Sequence, residues 1–401
     1  FPSGLQQWRR PLRDGMDWLR DRLKELYEEK MSQYTRHPWE TRNNYASVVL
    51  DRSEDNVQKF LNEIGGGFEI ADRVQIIKLL EMQRNAMLMF TSCGWFFDDI
   101  CGIETVQILR YASRAIQLAK EVGGGDFENE FMKFLEAAPA NEKKYSNGRD
   151  AYTALVKPVS FDLNRVGAHL AISSVFKEYP EKIDLYCYSA EVERYNRYDA
   201  GEQKLAVGRI IIHSGITPET HPVDFAVLHL GSHNLFGSVS RSMSNKLLNK
   251  TENNLKTAFL KGNTTEVIRL MNTVFEGKSY SLWDLFRDEQ RRILSELLEA
   301  PLREVEASFR AIYEHNYAIT RVIRDMNINL PDALKIPAEY IINEDLKGIL
   351  KRPDPDFDKM KTLINAAKEL SLNLDYDLLR YVADSKVNDL MQHLQNNAAD
   401  A

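Results

Sequence analysis

Cysteine is scarce in this chain: Cys93, Cys101 and Cys187 are its only three among 401 residues. An odd, sparse set builds no disulfide framework, and without a CxxC pair no structural zinc site is suggested. Excess positive charge is missing as well. With 52 Lys and Arg against 59 Asp and Glu, the net charge is -7, whereas a nucleic-acid surface needs concentrated cations to neutralise phosphates. The short basic clusters Arg9–Arg10 and Arg291–Arg292 read as solvated helix faces. No apolar run reaches about 18 residues, which excludes a membrane-spanning helix. The N-terminal stretch FPSGLQQWRRPLRDG lacks the apolar core of a signal peptide. Sequons at Asn249 and Asn263 then carry little weight, because glycosylation needs a secretory route. These absences point to a cytoplasmic protein that contacts neither nucleic acid nor membrane. The start at Phe1 rather than Met points to a piece of a longer chain.

What is present is mostly helical periodicity. Leu12, Met16, Leu19, Leu23 and Leu26 alternate steps of four and three, which puts them on one helical face. Tyr45, Val49, Val57, Phe60 and Ile64 repeat that logic up to Gly65–Gly66–Gly67. A helix over about 72–90 is apolar on most sides towards its end, and a second over about 104–120 stops at Gly123–Gly125. One more helical pattern covers Val159–Phe176. The character then changes. Ile183–Asp199, Leu205–Thr217 and Val223–Ser240 are rich in β-branched and aromatic residues and are parted by turn-formers. They predict an antiparallel meander of three or four strands. Beyond Met243 helices return: Ser281 with Asp284 resembles a capping box, and Pro301 stands where a helix would begin. Val305, Phe309, Ile312, Ile319, Ile323 and Met326 form a stripe ended by Leu330–Pro331. Leu379, Val382, Leu390 and Leu394 share a face of the last helix. No repeat of fixed period occurs. The fold class expected is α+β, mainly α, in three regions: 1–180, 181–241 and 242–401.

The connection between the helices over 72–90 and 104–120 is unusual. Such links are commonly short and polar, because free backbone groups need water. Thr91–Thr105, TSCGWFFDDICGIET, instead crowds Trp95, Phe96 and Phe97 beside Asp98 and Asp99. Aromatic faces next to carboxylates suit sugars: rings stack on the apolar face and acids accept hydroxyl hydrogen bonds. The alternative is that the rings plug a core while Asp98 or Asp99 caps the next helix.

MLMFTSCGWFFDDICGIETVQILRYASRAIQLA resembles the signature of an uncharacterised domain, domain of unknown function 3536, found C-terminal to glycoside hydrolase family 57 barrels. RPLRDGMDWLRD, YASVVLDRSEDNVQKFL, VGAHLAISSVF, FAVLHLGSHNLFGSV and SLWDLFRDEQRRIL extend the resemblance from about Pro11 to Leu294. It implies that a catalytic barrel precedes this region. Family 57 enzymes retain configuration, using a Glu nucleophile and an Asp acid/base on the barrel; retention needs carboxyl groups about 5–5.5 Å apart. Neither barrel motif occurs here, and Asp98 and Asp99, being neighbours, point to opposite faces of an extended chain. The resemblance therefore implies an accessory part, inactive in isolation, whose Trp95, Phe96, Asp98 and Asp99 line the barrel's cleft for an α-linked glycan. The competing class is a non-enzymatic interaction or oligomerisation domain.

Other residues carry weaker signals. His229 and His233 could share a strand face for a metal, but a pair bonding to backbone is the simpler reading, and no cofactor is implied. Cys93 as a nucleophile with His169 or His229 as base conflicts with its apolar and acidic neighbours. The glycine triplets match neither GxGxxG nor a Walker loop and read as helix C-caps. Arg110 and Arg114 could pair with Asp98 or Asp99.

Overall fold

The spacing of Leu12, Met16, Leu19, Leu23 and Leu26 is realised in α1 (Arg9–Met31), which buries all five. The computed structural model describes residues 6–160, 162–275, 279–326 and 328–399; the side chains of Leu390 and of residues 392–399 lie outside that description. The chain divides into two units, Phe1–Arg291 and Arg292–Ala401.

In the first unit, α1 is followed by α2 (Pro38–Asn44), α3 (Ala46–Leu50) and α4 (Glu54–Ile64). The expected continuous pattern from Tyr45 to Ile64 is thus split, with the Asp51 carboxylate accepting from the Ser53 backbone N–H at 2.9 Å between the two helices. Gly66, at φ 66°, follows α4 in the left-handed region that glycine adopts without steric cost. Next come α5 (Ile70–Leu88), α6 (Cys93–Phe96), α7 (Ile103–Glu121), α8 (Phe127–Glu136), α9 (Gly148–Ala151) and α10 (Leu163–Ser173). Eight consecutive residues of α5, Ile76 to Gln83, are buried, so this helix is enclosed rather than amphipathic. Its two buried charges are satisfied. Lys78 Nζ lies 2.8 Å from Glu219 and 3.0 Å from Glu121, and Glu81 accepts from Arg52 at 2.6 Å and from the Tyr45 hydroxyl at 2.7 Å. Gly123, at φ 84°, ends α7.

Among the described residues six strands form one antiparallel sheet in sequence order: β1 (Lys182–Leu185), β2 (Tyr188–Ala200), β3 (Gln203–Ser214), β4 (Thr220–His229), β5 (Leu235–Arg241) and β6 (Ser279–Tyr280). The expected meander is present, but three or four strands were too few. Two of the three apolar segments each fold back on themselves. The first turns at Tyr186, a residue other than glycine at φ 56°, so nothing turn-forming marked it. The second turns at Gly231 and Ser232, and β6 is only two residues long. Strand β3 is buried continuously from Leu205 to Ile210 because both faces are covered. On one face Gly167 of α10 approaches Ile212 and Val223. On the other, Leu205, Val207, Ala226 and Leu228 form a core with α11 (Asn245–Leu260) and α12 (Thr264–Val274). Here Arg209 is held in a two-pronged pair with the fully buried Asp224, at 2.5 and 3.0 Å.

The capping box appears as expected: Ser281 and Asp284 close a 3-10 turn, Leu282–Asp284. Helix α13 (Arg287–His315) then carries Pro301 in its interior, not at its start. A helix tolerates this by losing one donor and bending, so proline alone did not mark a boundary.

In the second unit, α14 (Tyr317–Asp325), α15 (Asp332–Lys351), α16 (Phe357–Glu369) and α17 (Tyr376–Ala399) follow. Pro331 precedes α15 as its N-cap residue rather than ending the stripe from Val305 to Met326, whose Val305, Ile312, Ile319 and Met326 are exposed. The core comprises Ala338, Ile342, Leu346, Ala367, Leu370 and Leu372, with Leu379 packed on it; the side chains of Leu390 and Leu394 fall outside the described ones. No helix among the described residues is long and apolar enough to cross a membrane.

Candidate functional site

The 91–105 loop exists because α6 must sit tight on α7. A Cβ on Gly94 would come within 2.4 Å of Ile108, so only glycine permits this approach. The loop is then tied inward. Asp99 accepts backbone N–H groups from Cys101 at 3.1 Å, Asn141 at 3.3 Å and Glu142 at 2.8 Å. The buried Thr105 hydroxyl lies 3.0 Å from the Gly94 carbonyl and 3.1 Å from that of Asp99. Trp8 Nε1 donates to the Asp98 carbonyl at 3.1 Å, and Arg9 donates to the carbonyls of Phe96 and Phe97 at 2.9 and 3.2 Å. Burial, with the Asp99 charge, pushes the Cys101 thiol up to about 12.

The four residues singled out in sequence separate into roles. Phe96 is 76% exposed and stands edge-to-face with Phe97, 5.4 Å between ring centres. The Asp98 carboxylate is exposed and accepts from Gln6 at 2.8 Å. Trp95 is half-buried against the helical core, with the Arg13 guanidinium 5.7 Å from its ring centre. Asp99 spends its carboxylate on backbone; it closes the turn before α7, whose N-cap residue is Gly102.

A second place was not visible in the sequence. A cleft of about 660 Å³ opens where α7, the β1–β2 turn and the 281–290 segment meet. Trp283 and Tyr186 stand over it, 78% and 75% exposed. The Tyr186 hydroxyl donates to Asp288 at 3.3 Å. Phe286 lines the cleft and stacks on His169, ring centres 4.2 Å apart, while its backbone N–H donates to His169 Nδ1 at 3.3 Å. Burial pushes His169 down to about 4, which keeps its ring neutral and accepting. Arg165 donates to the Asp284 carbonyl at 3.0 Å and to the Ser160 carbonyl at 3.3 Å. Arg110 and Arg287 make no ion pair among the described residues, and Arg110 Nε is buried without a partner. The one sequence signal was SLWDLFRDEQ, a tryptophan set between a capping serine and its acid.

The remaining candidates resolve into structure. His229, its pKa lowered by burial, ends β4 and bonds through Nε2 to the Ser232 carbonyl at 2.9 Å. His233 lies in the exposed turn beyond, so the two share no strand face. Arg114 lies 3.7 Å from Glu121 rather than beside Asp98 or Asp99. Cys93 is exposed on α6, whereas His169 and His229 are buried and their named contacts lie elsewhere. A smaller cleft of about 220 Å³ holds Lys78, Glu121, Glu219 and His221, with charges already paired and His221 bonded to Asn164 at 2.9 Å.

A family model described as Domain of unknown function (DUF3536) matches residues 5–286, more than half of the chain. No curated protein and no solved structure matches it.

Proposed function

We propose that this chain, which belongs to the DUF3536 family, is the accessory helix-rich part of a glycoside hydrolase family 57-like protein and contacts an α-linked glycan. The observation that carries the reading is the exposed pair Phe96 and Phe97 beside the exposed Asp98 carboxylate, on a loop whose backbone is tied in place. The rings offer apolar faces to the C–H side of a sugar, and Asp98 accepts a hydroxyl. Trp95 packs half-buried on the helical core, and Asp99 positions the turn. With one of the two acids turned inward, the loop holds no carboxylate pair for retaining hydrolysis; that pair belongs to the barrel of the longer protein, and the chain alone hydrolyses nothing. The same reading places the protein in the cytoplasm, where its free thiols stay reduced.

The test is the double variant Phe96→Ala, Phe97→Ala in the protein that carries the barrel, titrated with maltoheptaose. An affinity about tenfold weaker with an unchanged circular dichroism spectrum is expected, since stacking on a ring contributes on the order of 1 kcal/mol. Unchanged affinity overturns the reading. A second reading, an interaction or oligomerisation domain, draws on α13, where Leu294, Leu298, Leu302, Val305 and Ile312 are all more than a third exposed. Sedimentation showing a monomer at all accessible concentrations removes the oligomerisation form of that reading.

A further inference from the structure

We infer that the cleft beneath Trp283 binds an anionic sugar, a ring carrying a carboxylate or a phosphate. Three guanidinium groups, those of Arg110, Arg165 and Arg287, line it against a single carboxylate, Asp288. In a chain with a net charge of -7 this is a local reversal of sign. Arg165 is occupied by backbone carbonyls and fixes the wall. Arg110 and Arg287 have no counter-ion among the described residues, and the Arg110 Nε–H is shut away from water with no acceptor. An oxyanion is the acceptor that fits the guanidinium forks of Arg110 and Arg287.

The anion must come attached to something apolar and ring-shaped. Trp283 and Tyr186 are exposed at the mouth and Phe286 lines the interior, so an anion entering here meets ring faces beside the cations. The volume of about 660 Å³ holds one or two sugar units and far exceeds a bare phosphate. The choice of a sugar as the ring rests on the carbohydrate reading above; the choice of an anion does not.

The experiment is calorimetric titration of this chain with glucose 6-phosphate, glucuronate, glucose and adenosine monophosphate. One of the two anionic sugars is expected to bind at least about tenfold tighter than glucose, as charge-assisted bonds to a guanidinium imply. Arg287→Gln, on an exposed residue that leaves folding intact, and Arg110→Gln are each expected to reduce that advantage several-fold. Trp283→Ala is expected to weaken the anionic sugar about tenfold. Glucose binding as tightly as both anionic sugars overturns the anion site and leaves the carbohydrate reading standing. Adenosine monophosphate binding tighter than either sugar anion overturns the choice of sugar, and the Phe96 and Phe97 titration then decides the carbohydrate reading separately. No binding by any probe, or an advantage untouched by both arginine variants, overturns the proposal.

Discussion

On the 91–105 loop, Phe96 and Phe97 reach solvent while most polar groups around them turn inward, onto Asp99 and the carbonyls held by Trp8 and Arg9. At the cleft, Trp283 and Tyr186 reach solvent as Phe96 does, but two of the guanidinium groups beside them, Arg110 and Arg287, have no counter-ion among the described residues. The loop has used most of its backbone hydrogen-bonding capacity to set its own shape, although Trp95 Nε1 and Arg9 Nε are buried without a partner. The cleft borrows its shape from helices and strands and keeps its capacity for a guest. Exposed aromatics alone therefore do not tell a contact surface from a recognition site; the neighbouring donors and acceptors do.

The largest test of that contrast is Asp99→Ala. Three backbone N–H groups lose their acceptor, and urea unfolding is expected to show a loss of about 3 kcal/mol. A change below about 0.5 kcal/mol means the loop does not depend on its own bonds. Gly94→Ala comes next, at about 2 kcal/mol, because the methyl meets Ile108 of α7; a neutral result means α6 can shift freely.

The cleft wall is predicted to respond to pH, through His169. Unfolded, this ring titrates near 6.5; folded, near 4. Between those values the unfolded chain binds the extra proton. The stabilisation is thus complete above the unfolded value and falls away as pH drops through the window. From pH 7.5 to 5 the loss is about 2 kcal/mol, and His169→Gln is expected to flatten that part of the profile. Equal slopes in the two proteins contradict it. The smallest expected effect is Phe96→Ala on stability, under about 0.5 kcal/mol; a cost above 2 kcal/mol means the ring is structural and the loop is not a contact surface.

Much of the helical layer could be read directly, because a buried stripe such as Leu12 to Leu26 leaves a period in the sequence. The long helices over Ile70–Leu88 and Ile103–Glu121 were likewise legible, as was the loop between them. The split of the strands was not: the turn at Tyr186 uses a left-handed residue with no glycine, and β5 begins inside one apolar run. Pro301 misled for the opposite reason, since it sits inside α13 with the helix continuing past it. The cleft was invisible because Arg110, Arg165, Tyr186 and Trp283 come from four distant stretches that meet only after the sheet is built. No local pattern encodes such a meeting.

The capping box at Ser281 and Asp284 has a consequence for any ligand of the cleft. Ser281 Oγ receives the Trp283 N–H at 3.3 Å, and Asp284 holds the Ser281 N–H at 2.9 Å. The backbone that presents Trp283 is therefore ordered before anything arrives. At Trp283 a guest has only the indole's two side-chain torsions to immobilise, so the protein's entropy loss on association falls mainly on the longer Arg287 side chain.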